Sequence, residues 1–211
     1  MDFLIEQVHK YPGEVTIFAI GAGTNVALAI RKDPTLVEDA AGIIYMGGAV
    51  DIPGNSSSSA EFNWYYDPEG IRICLSAPWK SQLVVPNDVA ERVYYTKEIY
   101  DRIAEKEDNA ISKLIVEGQA DRYANDPEAS SFVWDSITAA VWLNPEIASD
   151  VQERYLTVDT NYGPDYGRVV SWWTSRNRDV ETGEGMPYGV QKCDVLFDID
   201  REAFWDFYVD I

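Results

Sequence analysis

Three stretches of this 211-residue chain carry residue types that can do chemistry. The densest runs from Met46 to Asn63 and gathers Asn55, Glu61 and Asn63. Amides and a carboxylate together supply donors and acceptors, which is what holding a sugar diol requires. The same composition also describes a polar surface loop built on turn-forming Asn and Gly. The second stretch is Phe132 to Ala140, with Trp134 next to Asp135. An aromatic face there could stack a nucleobase, and the neighbouring carboxylate could bind a cation or a sugar. The plainer reading is a core aromatic beside a helix-capping Asp. The third is Gly21, Gly23 and Thr24 ahead of a helical pattern, which could cradle an anion, although a strand-to-helix turn calls for glycine anyway.

Several other chemistries find no residues here. The only histidine is His9, on an N-terminal amphipathic pattern, so a two-His metal site is excluded and no nucleophile-elbow sequence offers a Ser-His-Asp triad. Neither a Walker loop nor a dinucleotide-binding glycine pattern is present. Cys74 and Cys193 lie in apolar contexts and read as buried free thiols. With 36 acidic against 17 basic residues the net charge is −19, a field that repels phosphate backbones and argues against a nucleic-acid partner. It does not repel a neutral nucleoside or a cation. No apolar run is long enough to span a bilayer, so no membrane partner is expected. The N-terminus has no signal-peptide pattern, and the compartment stays open between cytoplasmic and secreted. Asn55-Ser56-Ser57 matches a glycosylation sequon by pattern alone.

The elements that would position these residues alternate. A helix is predicted over Phe3–His9, a buried strand over 14–20, and a helix capped by Thr24 as far as Arg31. A second buried strand is expected over Gly42–Met46, and a polar loop over 51–60. Asp67 and Pro68 should open a helix, and a third strand should cover 81–85. Helical patterns follow over 97–115 and 131–143. Mixed strands are expected over 154–160, 168–173 and 192–198, then a short helix over 202–209. This alternation predicts a single α/β domain, 1–211, with an open, mostly parallel sheet flanked by helices. Ligands in such sheets sit beyond the strands' carboxyl ends. Here those ends carry Gly21 to Gly23, Met46 to Gly48 and Pro86 to Asp88.

Taken together, the motifs resemble the inosine–uridine-preferring nucleoside hydrolase family. The likeness runs from Val8 to about Gly167. It is carried by Gly21-x-x-Thr24-Asn25-x-Ala27-x-Ala29, by Met46 to Ala49, by Gly54-Asn55-x4-Ala60-Glu61-Phe62-Asn63 with Asp67-Pro68-Glu69, and by Trp134-Asp135. The resemblance implies hydrolysis of the N-glycosidic bond of ribonucleosides. Asn55, Glu61, Asn63 and Met46 would form the ribose pocket, and Trp134 would stack the base. Asp135 and the main-chain carbonyl of Ile20 would ligate calcium. Trp before the Asp matches the purine-preferring branch, where stacking raises the proton affinity of the leaving base; another branch has a His there.

Two departures stand out. Ala22-Gly23 replaces the usual Pro-Leu, loosening the turn that presents the Ile20 carbonyl. The family's leading strands and their aspartate-rich motif, which supply most metal ligands and the general base, do not occur in this sequence. The chain is therefore expected to correspond to the C-terminal two-thirds of the fold, with its N-terminal strands missing. Its calcium binding should be weak or absent, its catalytic base is unassigned, and turnover should be impaired. The alternative is an inactive nucleoside-binding paralogue or a subunit of an oligomer, including a homo-oligomer.

Overall fold

The structure, a computed structural model, describes residues 1–106, 109–173 and 189–210. Its chain divides into two compact units. The first comprises Met1–Val89 and Asp150–Asp198, and the second Ala90–Ser149 and Ile199–Ile211.

In the first unit, α1 (Asp2–Lys10), β1 (Thr16–Ala19), α2 (Thr24–Lys32), α3 (Leu36–Asp39), β2 (Gly42–Met46), α4 (Phe62–Tyr66), α5 (Pro68–Ser76) and β3 (Gln82–Val85) follow one another. β6 (Ala148–Val158), β7 (Val169–Trp173) and β8 (Lys192–Ile199) complete the sheet, whose order is β1-β2-β3-β8-β6-β7. β1, β2, β3 and β8 pair in parallel, and β7 returns antiparallel to β6. This is the mixed, mostly parallel α/β sheet expected from the alternation. All five residues of β2 are buried, as a strand covered on both faces should be. β1 is shorter than the apolar run suggested and alternates, with Ile17 and Ala19 buried. Glu14 is drawn into a turn by its N–H bond to the Tyr11 carbonyl. Cys74 and Cys193 are free and buried in this core, which pushes both thiols up to about 12.

One helix start differs from expectation and another agrees with it. Thr24 is the first helical residue of α2 and not its cap, which is Gly23. Its hydroxyl instead donates to the Asp67 carboxylate. Asp67 does cap α5, accepting from Gly70 N at 2.9 Å, with Pro68 in the first turn.

α6 (Asn87–Ala90) runs from the first unit to the first residue of the second, which then holds β4 (Tyr94–Tyr95), α7 (Lys97–Lys106), α8 (Ala110–Asn125), β5 (Ser131–Phe132), α9 (Trp134–Leu143) and α10 (Arg201–Asp210). The helical pattern over 97–115 is two helices. Asn109 opens the second with a capping box, accepting from Ile111 N and Ser112 N while the Ser112 hydroxyl accepts from Asn109 N; residues 107 and 108 lie outside the described residues. Ser131 and Phe132, expected to be helical, pair antiparallel with Tyr95 and Tyr94. Among the described residues, no helix is long and apolar enough to cross a membrane.

His9 has a structural task. Its ring nitrogens lie 2.7 Å from Asp39 Oδ2 and 2.9 Å from Asp33 Oδ2, tying α1 to the end of α2 and to α3. Those bonds raise its pKa above 6.5, the Asp39 bond foremost. A raised folded pKa contributes stability that is complete below the unfolded value and lost as pH climbs through the folded one. The gap in melting temperature between the wild type and His9→Asn should therefore be widest near about pH 6 and narrow toward alkaline pH. A gap that does not vary with pH would show that the imidazolium contributes nothing.

Candidate functional site

The carboxyl ends of β1, β2 and β3 deliver Ile20, Met46 and Asn87 on one side of the sheet, where parallel sheets place ligands. From the end of β2 the chain turns sharply through Gly47 (φ 156°) and Gly48 (φ 84°). A Cβ at Gly47 would lie 2.4 Å from the Trp64 ring, so the turn needs both the open backbone and the missing side chain.

Glu61 holds this turn. It is 2% exposed and caps α4, its Oε1 accepting from Asn63 N at 2.8 Å and its Oε2 from Trp64 N at 3.1 Å. The same Oε2 accepts from Gly48 N at 2.8 Å, joining the two ends of the 48–61 loop. Asn55 Oδ1 accepts from Phe62 N at 2.9 Å. Asn63 Nδ2 donates to the Met46 carbonyl at 3.0 Å and approaches its sulfur at 3.3 Å. The structure thus brings Met46, Asn55, Glu61 and Asn63 into one cluster. A polar loop alone would satisfy its polar groups with water. Here each amide gives half of its capacity to the backbone. Among the described residues, Asn55 Nδ2 and Asn63 Oδ1 have no partner. One free donor and one free acceptor are the complement of a diol.

Trp134 and Asp135 lie at the start of α9, in the second unit. Trp134 is 39% exposed and not a core residue, with its ring 5.5 Å from Phe132. Asp135 is not a cap: the capping position is Val133, and no side-chain cap bond is made. Among the described residues its carboxylate has no hydrogen-bond or ionic partner, and burial raises its pKa. Asp135 is nonetheless an exposed residue, so water can solvate its carboxylate. A cavity of about 320 Å³ in this unit, lined by Ile103, Ile111, Leu143 and Phe207 among others, includes neither residue.

Calcium takes about six to eight oxygens. Among the described residues no group of three His, Cys, Asp or Glu side chains could hold a metal ion. The described acids therefore do not by themselves fit a resident calcium ion. Ile20 follows directly on β1, and its side chain is 44% exposed. In the glycine turn beyond it, the Thr24 hydroxyl is committed to Asp67 and not left for an anion.

Sequence reading missed Asp88 and Arg154. Asp88, 5% exposed, accepts from Val50 N and Asp51 N at 2.8 Å each; burial raises its pKa against those bonds. The available signal was a polar pair, Asn87 and Asp88, at a strand's carboxyl end.

A mostly parallel sheet flanked by helices defines the chain as an α/β protein. The match is closer than that: the chain belongs to the inosine-uridine preferring nucleoside hydrolase family, whose model matches residues 1–206. It is similar to a pyrimidine-specific ribonucleoside hydrolase, RihB, of Escherichia coli, 28% identical over 177 residues, which cover 80% of this chain and 54% of the relative. Among solved structures it is similar to a plant nucleoside hydrolase, the PpNRh1 enzyme, with a TM-score of 0.85 and 25% identity over 99% of this chain and 65% of that one. An inosine-guanosine nucleoside hydrolase superposes with a TM-score of 0.81 and 25% identity, covering 98% of this chain and 66% of that one. The chain spans about half the length of the curated relatives it matches.

Proposed function

We propose that this chain, as one nucleoside hydrolase-like domain, binds ribonucleosides and supplies the sugar- and base-recognition parts of an N-ribohydrolase, which releases free base and ribose. The observation that carries this reading is the free donor on Asn55 and free acceptor on Asn63, held in place by Phe62 N and Met46 O. N-glycosidic cleavage passes through an oxocarbenium-like state at the anomeric carbon. Asn55, Glu61 and Asn63 would fix the ribose hydroxyls and so orient that carbon toward water. Met46 would close the pocket floor. Trp134 would stack the base and raise its proton affinity, so that solvent protonates the leaving group. Asp135 and the Ile20 carbonyl would act as two calcium ligands within a larger donor set, the ion supplying charge to bind and orient the sugar and water.

The relatives' names point to both pyrimidine and purine nucleosides, so the purine preference rests on Trp134. One base stack is worth roughly 1–3 kcal/mol. Trp134→Ala should therefore weaken inosine binding by about tenfold or more and uridine binding by less. Equal losses for the two would remove the stacking assignment.

A second reading, favoured by the lack of a three-acid cluster among the described residues, is that these 211 residues bind a nucleoside without hydrolysing it, alone or as a subunit of an oligomer. Release of base and ribose from inosine and uridine, with and without added calcium, separates the two. Binding without release supports the second reading, and absence of both defeats each.

A further inference from the structure

We propose that Arg154 is a positioning residue for the sugar loop, acting through Asp51. The inference rests on the ribose assignment of Asn55 and Asn63. Arg154 projects from β6 and is 1% exposed, although burying a charge costs several kcal/mol unless it is compensated. Its guanidinium lies 3.2 Å from the centroid of the Trp173 ring and 5.0 Å from that of Phe197, and it donates to Gln152 Oε1 at 2.9 Å and Ser171 Oγ at 3.2 Å. None of these partners is charged. The one carboxylate paired with it among the described residues is Asp51 Oδ2, at 3.1 Å and 103 positions away in sequence.

Asp51 sits early in the loop that carries the sugar-binding amides. Its own N–H and that of Val50 are held by Asp88 beyond the end of β3. The residue is thus gripped twice, through its main chain from α6 and through its side chain from β6. Glu61 fixes the other end of the loop to Gly48. Between the anchors the loop bonds to itself, Gly54 N to Ser58 O and Ala60 N to Ser57 Oγ. With both ends and this early point pinned, the separation of the free Asn55 donor and Asn63 acceptor is set in advance. Preorganisation of this kind converts into affinity and discrimination.

Arg154 itself is too buried to replace without risk to folding, but the Asp51 side chain is half exposed. Asp51→Ala removes the ionic grip, while Asp51→Asn keeps an oxygen for the guanidinium. Amide exchange and nucleoside affinity are to be measured in the whole chain. In Asp51→Ala, exchange at Val50 and Phe62 should accelerate about tenfold or more, while amides of β1 and β2 stay unchanged. Discrimination between inosine and 2′,3′-dideoxyinosine should fall about tenfold, and Asp51→Asn should recover most of both losses. A mere loss of stability would not alter discrimination between sugars. Unchanged loop exchange in Asp51→Ala, or intact discrimination beside faster exchange, overturns the positioning role. A wild type that binds both nucleosides equally well sinks the ribose assignment instead, and the exchange arm still decides whether Arg154 holds the loop.

Discussion

Glu61→Ala is expected to abolish ribose-dependent binding and to destabilise the first unit by about 2–5 kcal/mol, because three backbone amides lose their acceptor. The carboxylate serves the Gly48, Asn63 and Trp64 N–H groups at once. Each buried amide left without an acceptor costs about 1–3 kcal/mol. Part of that is regained where water enters. Asn63→Ala is the necessary companion. It removes one free acceptor and the bond to Met46 O without touching the Glu61 cap, so binding should vanish at a cost of about 1–2 kcal/mol. Urea unfolding and calorimetry with inosine read the two effects separately. Unchanged affinity in both variants would show that the loop does not hold the sugar.

Gly54→Ala should have the opposite balance, with a large loss of binding and a small loss of stability. A Cβ at Gly54 would lie 2.2 Å from the Ala60 carbonyl oxygen and 2.3 Å from its nitrogen. Backbone cannot swing aside as a side-chain tip can, so the 54–60 arch must open. Asn55, next along the chain, moves with it. Affinity for inosine should fall about a hundredfold, as misplacement of about an ångström can cost. The arch lies on the surface and buries little, so unfolding free energy should fall by less than about 2 kcal/mol. Retained affinity would mean that the position of Asn55 is irrelevant to the site.

Local signals fixed much of this architecture in advance. β2 was legible at both ends because an apolar, β-branched run lies between glycines, and the start of α5 because Asp67-Pro68 admits few other readings. The break between α7 and α8 was not, since it turns on the Asn109 side chain choosing two backbone amides within a continuous helical pattern. The candidate residues were recognisable by type, but the hydrogen bonds they make were not. Glu61 reads as a sugar ligand in sequence, whereas in the fold it is first the cap that closes the loop. Arg154 was invisible because charged residues are expected at the surface and its partner is 103 positions distant. Asp135 reads most plainly as a cap in sequence, but Val133 holds the capping place.

The two free thiols provide a clock for the first unit. Cys74 is fully buried and Cys193 4% exposed, and both are held protonated at neutral pH. Alkylating reagents attack the thiolate, so neither sulfur reacts until the surrounding core opens. Their rate of modification therefore counts openings of that core, and a bound ligand that tightens it lengthens the interval between them.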